Sequence, residues 1–306
     1  MPLIGWKMAR GISVFNPIAE IPIDLSPIPR TDFGGSERHS AVAATVNGKI
    51  YVGTGYTPGM KKDWWEYDPV ADSWMQKADF GGTARDDAVS AEANGKIYVG
   101  TGIDGDYHKD WWEYDPVADS WTRKADFGGI ARCAAVAAEA NGKIYVGTGI
   151  DGGYHKDWWE YDPVADSWTQ KADFGSTARY DAVAAGANGK IYVGTGWSDI
   201  ENKDWWEYDP VADSWTQKAD FGGTARDMAV AAEANGKIYV GTGWDVGVTK
   251  TGWEYDPVAD SWTQKADFGG IARCAAVAAG ANGKVYVGTG VDNGQKKDWW
   301  LQTFEI

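Results

Sequence analysis

The chain has 306 residues with 19 Trp, 40 Gly, 2 Cys and 3 His, and 29 basic against 44 acidic residues leave a net charge of −15. Such an excess of acid offers no basic stripe to phosphate, so neither a nucleic acid nor an anionic membrane is an expected partner. No run of apolar residues is long enough to predict a membrane-spanning helix, two cysteines are too few for a disulfide scaffold, and a chain of this length can bury most of its apolar surface without such staples.

Residues 1–22 read as a tail outside the main unit. Met1 to Glu20 has no proper apolar stretch after its basic residues and is not read as a signal peptide. From Phe33 onward the chain repeats itself. Phe33, Phe80, Phe127, Phe174, Phe221 and Phe268 mark six near-copies, each 47 residues from the last with no insertion or deletion. A strand-rich repeat of that period predicts propeller blades and not a helical solenoid.

The second copy shows the internal order. A first strand runs on from Arg85 through Ala-Val-Ser-Ala to Asn94-Gly95, a strong hairpin signal. Lys96 to Gly100 is dense in β-formers and predicts the second strand. Trp111 to Tyr114 predicts the third and leads into the Asp115-Pro116 turn. Trp121 to Lys124 predicts the fourth. No segment has a helical period. The expected fold is all-β: a closed six-bladed propeller of four-stranded antiparallel blades at 33–79, 80–126, 127–173, 174–220, 221–267 and 268–306.

The last copy stops after its third strand, expected at Trp299 to Phe304. Residues 23–32 precede Phe33 where a fourth strand belongs, so the N-terminal side is expected to complete blade 6 and remove its open edge. Pro27 stands there in place of Trp, and an outer edge strand tolerates proline. Trp6-Lys7-Met8-Ala9 is the competing segment.

The order Arg, Asn-Gly-Lys-Ile-Tyr-Val, a glycine pair, Tyr-Asp-Pro and Ser-Trp resembles the kelch repeat over Phe33 to Trp300. It is closest to bacterial kelch proteins with near-identical blades. The glycine pair appears here as Gly53-Thr54-Gly55, and blade 5 departs further with Lys250-Thr251-Gly252-Trp253, losing the Asp and the first Trp of the motif. The resemblance implies architecture, a weak lean toward an extracellular or periplasmic address, and no single activity. Some kelch proteins are copper oxidases that need two Tyr, two His and a Cys crosslinked to Tyr. No such set carries over, and no cofactor is expected.

Blade stacking buries both faces of the inner strands, so Trp111 and Trp112 are expected to face opposite neighbours. Each Trp can bury roughly 200 Å², so the tryptophans are chiefly cement. Variation between copies gathers in two places. One is the pair after each Arg: His39-Ser40, Asp86-Asp87, Cys133-Ala134, Tyr180-Asp181, Asp227-Met228 and Cys274-Ala275. The other is the loop between strands two and three, which begins at Tyr56, Ile103, Ile150, Trp197, Trp244 and Val291. In a propeller both lie on one face, around one end of the channel. Binding residues ride on such loops, although unconstrained positions also drift.

The candidate ligand-binding residues on that face are His39, Asp86, Tyr180, Asp227, Tyr56, Trp197, Trp244, His108 and His155. Arg38, Arg85, Arg132, Arg179, Arg226 and Arg273 join them, one per blade. These arginines either ring the channel to capture an anion or pair with Asp63, Asp110, Asp157, Asp204 and Asp298. Cys133 and Cys274, three blades apart, are expected as separate thiols. The histidine spacing is not a zinc motif and no loop has the calcium pattern, so no metal is expected. No nucleophile elbow, phosphate loop or paired-acid signature is present.

Three readings of function follow. A non-catalytic propeller scaffold, expected as a monomer, presents its variable top face to a protein or a carbohydrate at the channel mouth. Alternatively, the chain is a recently amplified or engineered propeller with no evolved ligand, since blades 3 and 6 agree at 27 of 33 positions between Phe127–Trp159 and Phe268–Trp300. The third reading is an enzyme on a small acidic sugar, similar to the sialic-acid epimerases of the kelch group, in which no base and orienting partner can be paired from sequence.

Overall fold

A computed structural model describes residues 26–303. Its described residues form six four-stranded antiparallel sheets and no helix. In blade 2 the strands are Val89–Ala93, Lys96–Gly100, Trp111–Asp115 and Ser120–Lys124, and the other blades repeat them. Each inner hairpin turns on Asn-Gly with both residues in the left-handed region, φ 54° and 75° at Asn94 and Gly95. That backbone twist matches the strands it joins.

The ring closes at its N-terminal side. Ile28–Arg30 pairs antiparallel with Trp299–Gln302, setting Pro29 opposite Trp300 and Arg30 opposite Trp299. This register brings Pro27 to the place other blades give to the outer Trp. The third strand of blade 6 ends at Gln302. The segments 6–9, 23–25 and 304–306 lie outside the described residues.

Among the described residues, five of the six blade junctions are stapled by one aspartate each. Asp119 Oδ1 accepts from Tyr114 Oη at 2.7 Å and from the Ala78 amide of the preceding blade at 2.9 Å. Trp121 Nε1 donates back to Ala78 O at 3.0 Å. At the ring closure Thr31 takes the part of Ala78, bonded by Asp72 and Trp74 of blade 1, both at 3.0 Å.

Apolar burial falls between blades. Trp111 packs with Ile144, Val146 and Tyr161 of blade 3, while Trp112 and Tyr114 face Val42 and Trp64 of blade 1, as strand alternation requires. Trp111 has no exposed surface and sits edge-on to Trp168, centroids 5.1 Å apart. A Cβ on Gly100 would overlap this indole, which explains the Gly that ends every second strand.

Blade 5 repairs a missing part. Gly252 replaces the first Trp, and Phe268 lies against Gly241 and Gly252 in the space the indole fills elsewhere. Gly270 adopts φ 79° beside it, alone among the corresponding residues.

Trp111→Ala should cost about 3–5 kcal/mol, the usual range for an aromatic deleted from a packed core, read as a lowered midpoint in urea unfolding.

Candidate functional site

The six arginines are not channel-facing. All are at most 1% exposed. In five blades the guanidinium grips the aspartate before the Trp pair bidentately at 2.5–3.0 Å. The second indole of the pair donates to the same carboxylate at 2.7–2.8 Å. Burial works to raise the Asp110 carboxyl, but the bonds from Arg85 and Trp112 outweigh it and hold it below the ordinary range. Arg38, Arg85, Arg132, Arg179, Arg226 and Arg273 are therefore corrected from ligand groups to internal ties: a guanidinium with no exposed surface cannot meet a ligand in the channel.

The residues after the arginines do reach the axis. Ser40, Asp87, Ala134, Asp181, Met228 and Ala275 all adopt φ between 47° and 51°. Their backbones form a closed ring of hydrogen bonds, each N–H donating to the carbonyl of the equivalent residue in the previous blade at 2.9–3.2 Å. The residue just before each one pairs with the first residue of the loop between strands two and three: His39 with Tyr56, Asp86 with Ile103, Tyr180 with Trp197, Asp227 with Trp244. Each blade thus contributes a fixed two-residue unit to the channel mouth.

Above this ring lies a funnel of about 760 Å³. His39, Asp86, Tyr180, Trp197, Asp227 and Trp244 line it, as do Asp87, Asp181, Glu201 and Asp292. Tyr56 packs on His39 with ring centroids 5.4 Å apart but does not line the funnel. His108 and His155 turn to Asp104 and Asp151 of their own loops, at 2.8 and 2.7 Å, and also stand outside it. Asp87, Asp181, Glu201 and Asp292 were not singled out from sequence. The first two are the second members of variable pairs, which was their available signal.

The funnel is acidic, and its acids are poorly matched. Asp227 is 6% exposed, and Oδ1 of Asp227, Oδ1 of Asp86 and Nδ1 of His39 are buried without a hydrogen-bond partner. Burial, then the neighbouring Asp87, pushes Asp86 up to about 6. Burial, then Glu201, does the same to Asp227, also to about 6. Asp181 is raised by burial and by Asp87 and Asp227. Asp87 is raised by burial against a hydrogen bond with Ser40. Burial lowers His39 although Asp87 favours its charged form.

Cys133 and Cys274 are free and buried, their thiols pushed up to about 12 and about 11 by burial and then by nearby carboxylates. Among the described residues no three His, Cys, Asp or Glu side chains are grouped to share a metal ion.

No protein-family model matches the chain, and no curated protein matches it. Among solved structures, that of YjhT is similar, with a TM-score of 0.79 over 90% of this chain and 97% of that one, at 17% identity. At that identity the likeness extends to the fold alone. The class is a six-bladed β-propeller, here with an acidic and aromatic channel mouth.

An acid raised by the fold stabilises it below its unfolded pKa and loses that contribution as pH rises through the folded value. For Asp86 and Asp227 the window runs from 3.8 to about 6. Asp86→Asn and Asp227→Asn should each raise Tm at pH 8 by about 2 °C or more and leave it unchanged near pH 4, read by thermal unfolding at both pH values.

Proposed function

We propose that this chain is a non-catalytic binding propeller of the kelch type, and that its funnel holds a glycan bearing protonated amino groups. The observation that carries this reading is the pair of buried, unpartnered carboxylate oxygens, one each on Asp86 and Asp227, in a funnel lined by two tryptophans. A fold that leaves Asp86 and Asp227 charged and unpaired at neutral pH gives up stability, and such arrangements concentrate where a ligand supplies the missing partner. An ammonium group meets the carboxylates with charge-assisted bonds. The rings of Trp197, Trp244 and Tyr180 suit the apolar faces of sugar rings, and the volume suits a short oligosaccharide.

An acidic sugar fits less well. It would bring negative charge to Asp86, Asp87, Asp181 and Asp227, and the funnel lining has no Lys or Arg. The amplified scaffold without a ligand is favoured by a different observation, the 27 identities in 33 positions between blades 3 and 6.

Titration calorimetry with glucosamine tetramers and their N-acetylated counterparts separates these readings. The amine form should bind at least tenfold more tightly. Trp197→Ala/Trp244→Ala should lose at least tenfold. Affinity should fall between pH 5.5 and pH 4 as Asp86 and Asp227 complete their protonation, a range in which the sugar amine is already charged. Equal binding of both tetramers overturns the amine reading, and silence toward both favours the scaffold without a ligand.

A further inference from the structure

Blade 5 keeps the internal tie of its siblings but lacks the acid. Thr251 stands where the other five blades have aspartate, and Arg226 remains sealed in place at 1% exposure, its guanidinium 4.9 Å over Phe221. Nε donates to Thr224 O at 3.1 Å, Nη1 to Thr242 O at 2.9 Å and to Thr251 Oγ1 at 3.1 Å, and Nη2 to Thr224 Oγ1 at 3.0 Å. Thr251 Oγ1 therefore does the work of the aspartate Oδ1.

The work of Oδ2 is left undone. In the five sibling blades that oxygen accepts from both Arg Nη2 and the indole Nε1. Among the described residues, Arg226 Nη2 keeps only the Thr224 hydroxyl, and Trp253 Nε1 has no protein acceptor and is left to solvent. Trp253 has not turned away to find one. It meets Phe221 at 6.1 Å and 68°, against 6.2 Å and 71° for Trp112 and Phe80.

The charge is answered only in part, and from a distance. Asp245 reaches the guanidinium only through the Thr224 hydroxyl, which donates to its Oδ2 at 2.6 Å. Burial pulls Arg226 down, with Asp245 opposing, the direction expected of a desolvated cation short of a counter-charge. A buried cation in that condition is costly unless an anion joins it. The position is a shallow one in the sibling blades, where the aspartate side chains keep 17–32% of their surface exposed.

We propose that blade 5 contains a binding site for a small monovalent anion of halide or formate size, held between Arg226 Nη2 and Trp253 Nε1 where the other blades hold an aspartate oxygen. The size follows from Thr251, whose hydroxyl already takes the Nη1 bond, so that a single acceptor is missing. One negative charge balances one guanidinium. The bound anion completes the blade 5 tie next to the Phe268 repair, and so makes that junction sensitive to halide. This site lies in the body of a blade and stands apart from the funnel reading.

Chloride and bromide are the probes. In sodium chloride against sodium gluconate at equal ionic strength, the unaltered protein should gain about 3 °C in Tm, saturating with chloride as a single site does. Thr251→Asp should be the more stable protein without chloride and should lose the chloride response, because its carboxylate takes the anion's place. Asp110→Thr, which copies the blade 5 arrangement into blade 2, should enlarge the response. Crystals grown in bromide should show an anomalous peak between Arg226 and Trp253. An equal chloride response in the unaltered protein and Thr251→Asp overturns the proposal, as does the absence of bromide from that position.

Discussion

A guanidinium sealed inside each blade sets the terms for the rest of the molecule. Removing an ion pair from water costs several kcal/mol per ion, recovered only when geometry and hydrogen bonding are good. In blades 1 to 4 the arginine meets a bidentate carboxylate, a carbonyl and an aromatic face at once, as in Arg85 with Asp110, Thr101 O and Phe80. The carboxylate also takes an indole N–H, so the pair cannot be loosened at one point without stranding another. The consequence reaches the surface: with its arginines used internally, the channel mouth is left to acids and aromatics.

The second constraint is the ring of backbone hydrogen bonds around the channel. Because main-chain N–H and C=O groups make it, the side chains at those six positions are released from structural duty. Ser, Asp, Ala, Asp, Met and Ala all serve there. The left-handed backbone disfavours β-branched residues most, and none stands at these six positions. Variation concentrated in a site held by a nearly invariant frame is therefore a product of the geometry. The scaffold specifies where these side chains sit and leaves their identity open.

Blade 5 shows how far the repeat bends. Loss of the first Trp is met by Phe268 moving into the same space, a substitution of one aromatic ring for another across a blade boundary. Loss of the aspartate has no such repair, since the protein offers Arg226 a hydroxyl where its siblings supply charge. Packing defects can be filled by whatever apolar group is near, whereas a missing counter-charge has to be supplied as charge.

The sequence by itself determined the architecture. A 47-residue period, Asn-Gly hairpins and β-branched or aromatic runs are local signals, repeated six times, and they carried the blade count, the strand order and the closing strand with Pro27 in the outer position. The site was legible only in part. Variable pairs and loops pointed to the right face, and six of the nine non-arginine candidates line the funnel. Which member of each pair faces the axis depends on a left-handed backbone that a neighbouring blade stabilises, so Asp87 and Asp181 were passed over. The arginines were ambiguous because one residue type can serve as a ligand group or as an internal tie. Only the packing of Phe80, Asp110 and Trp112 around Arg85 decides between them. Burial settles the chemistry of these charges, and burial is a property of the assembled ring.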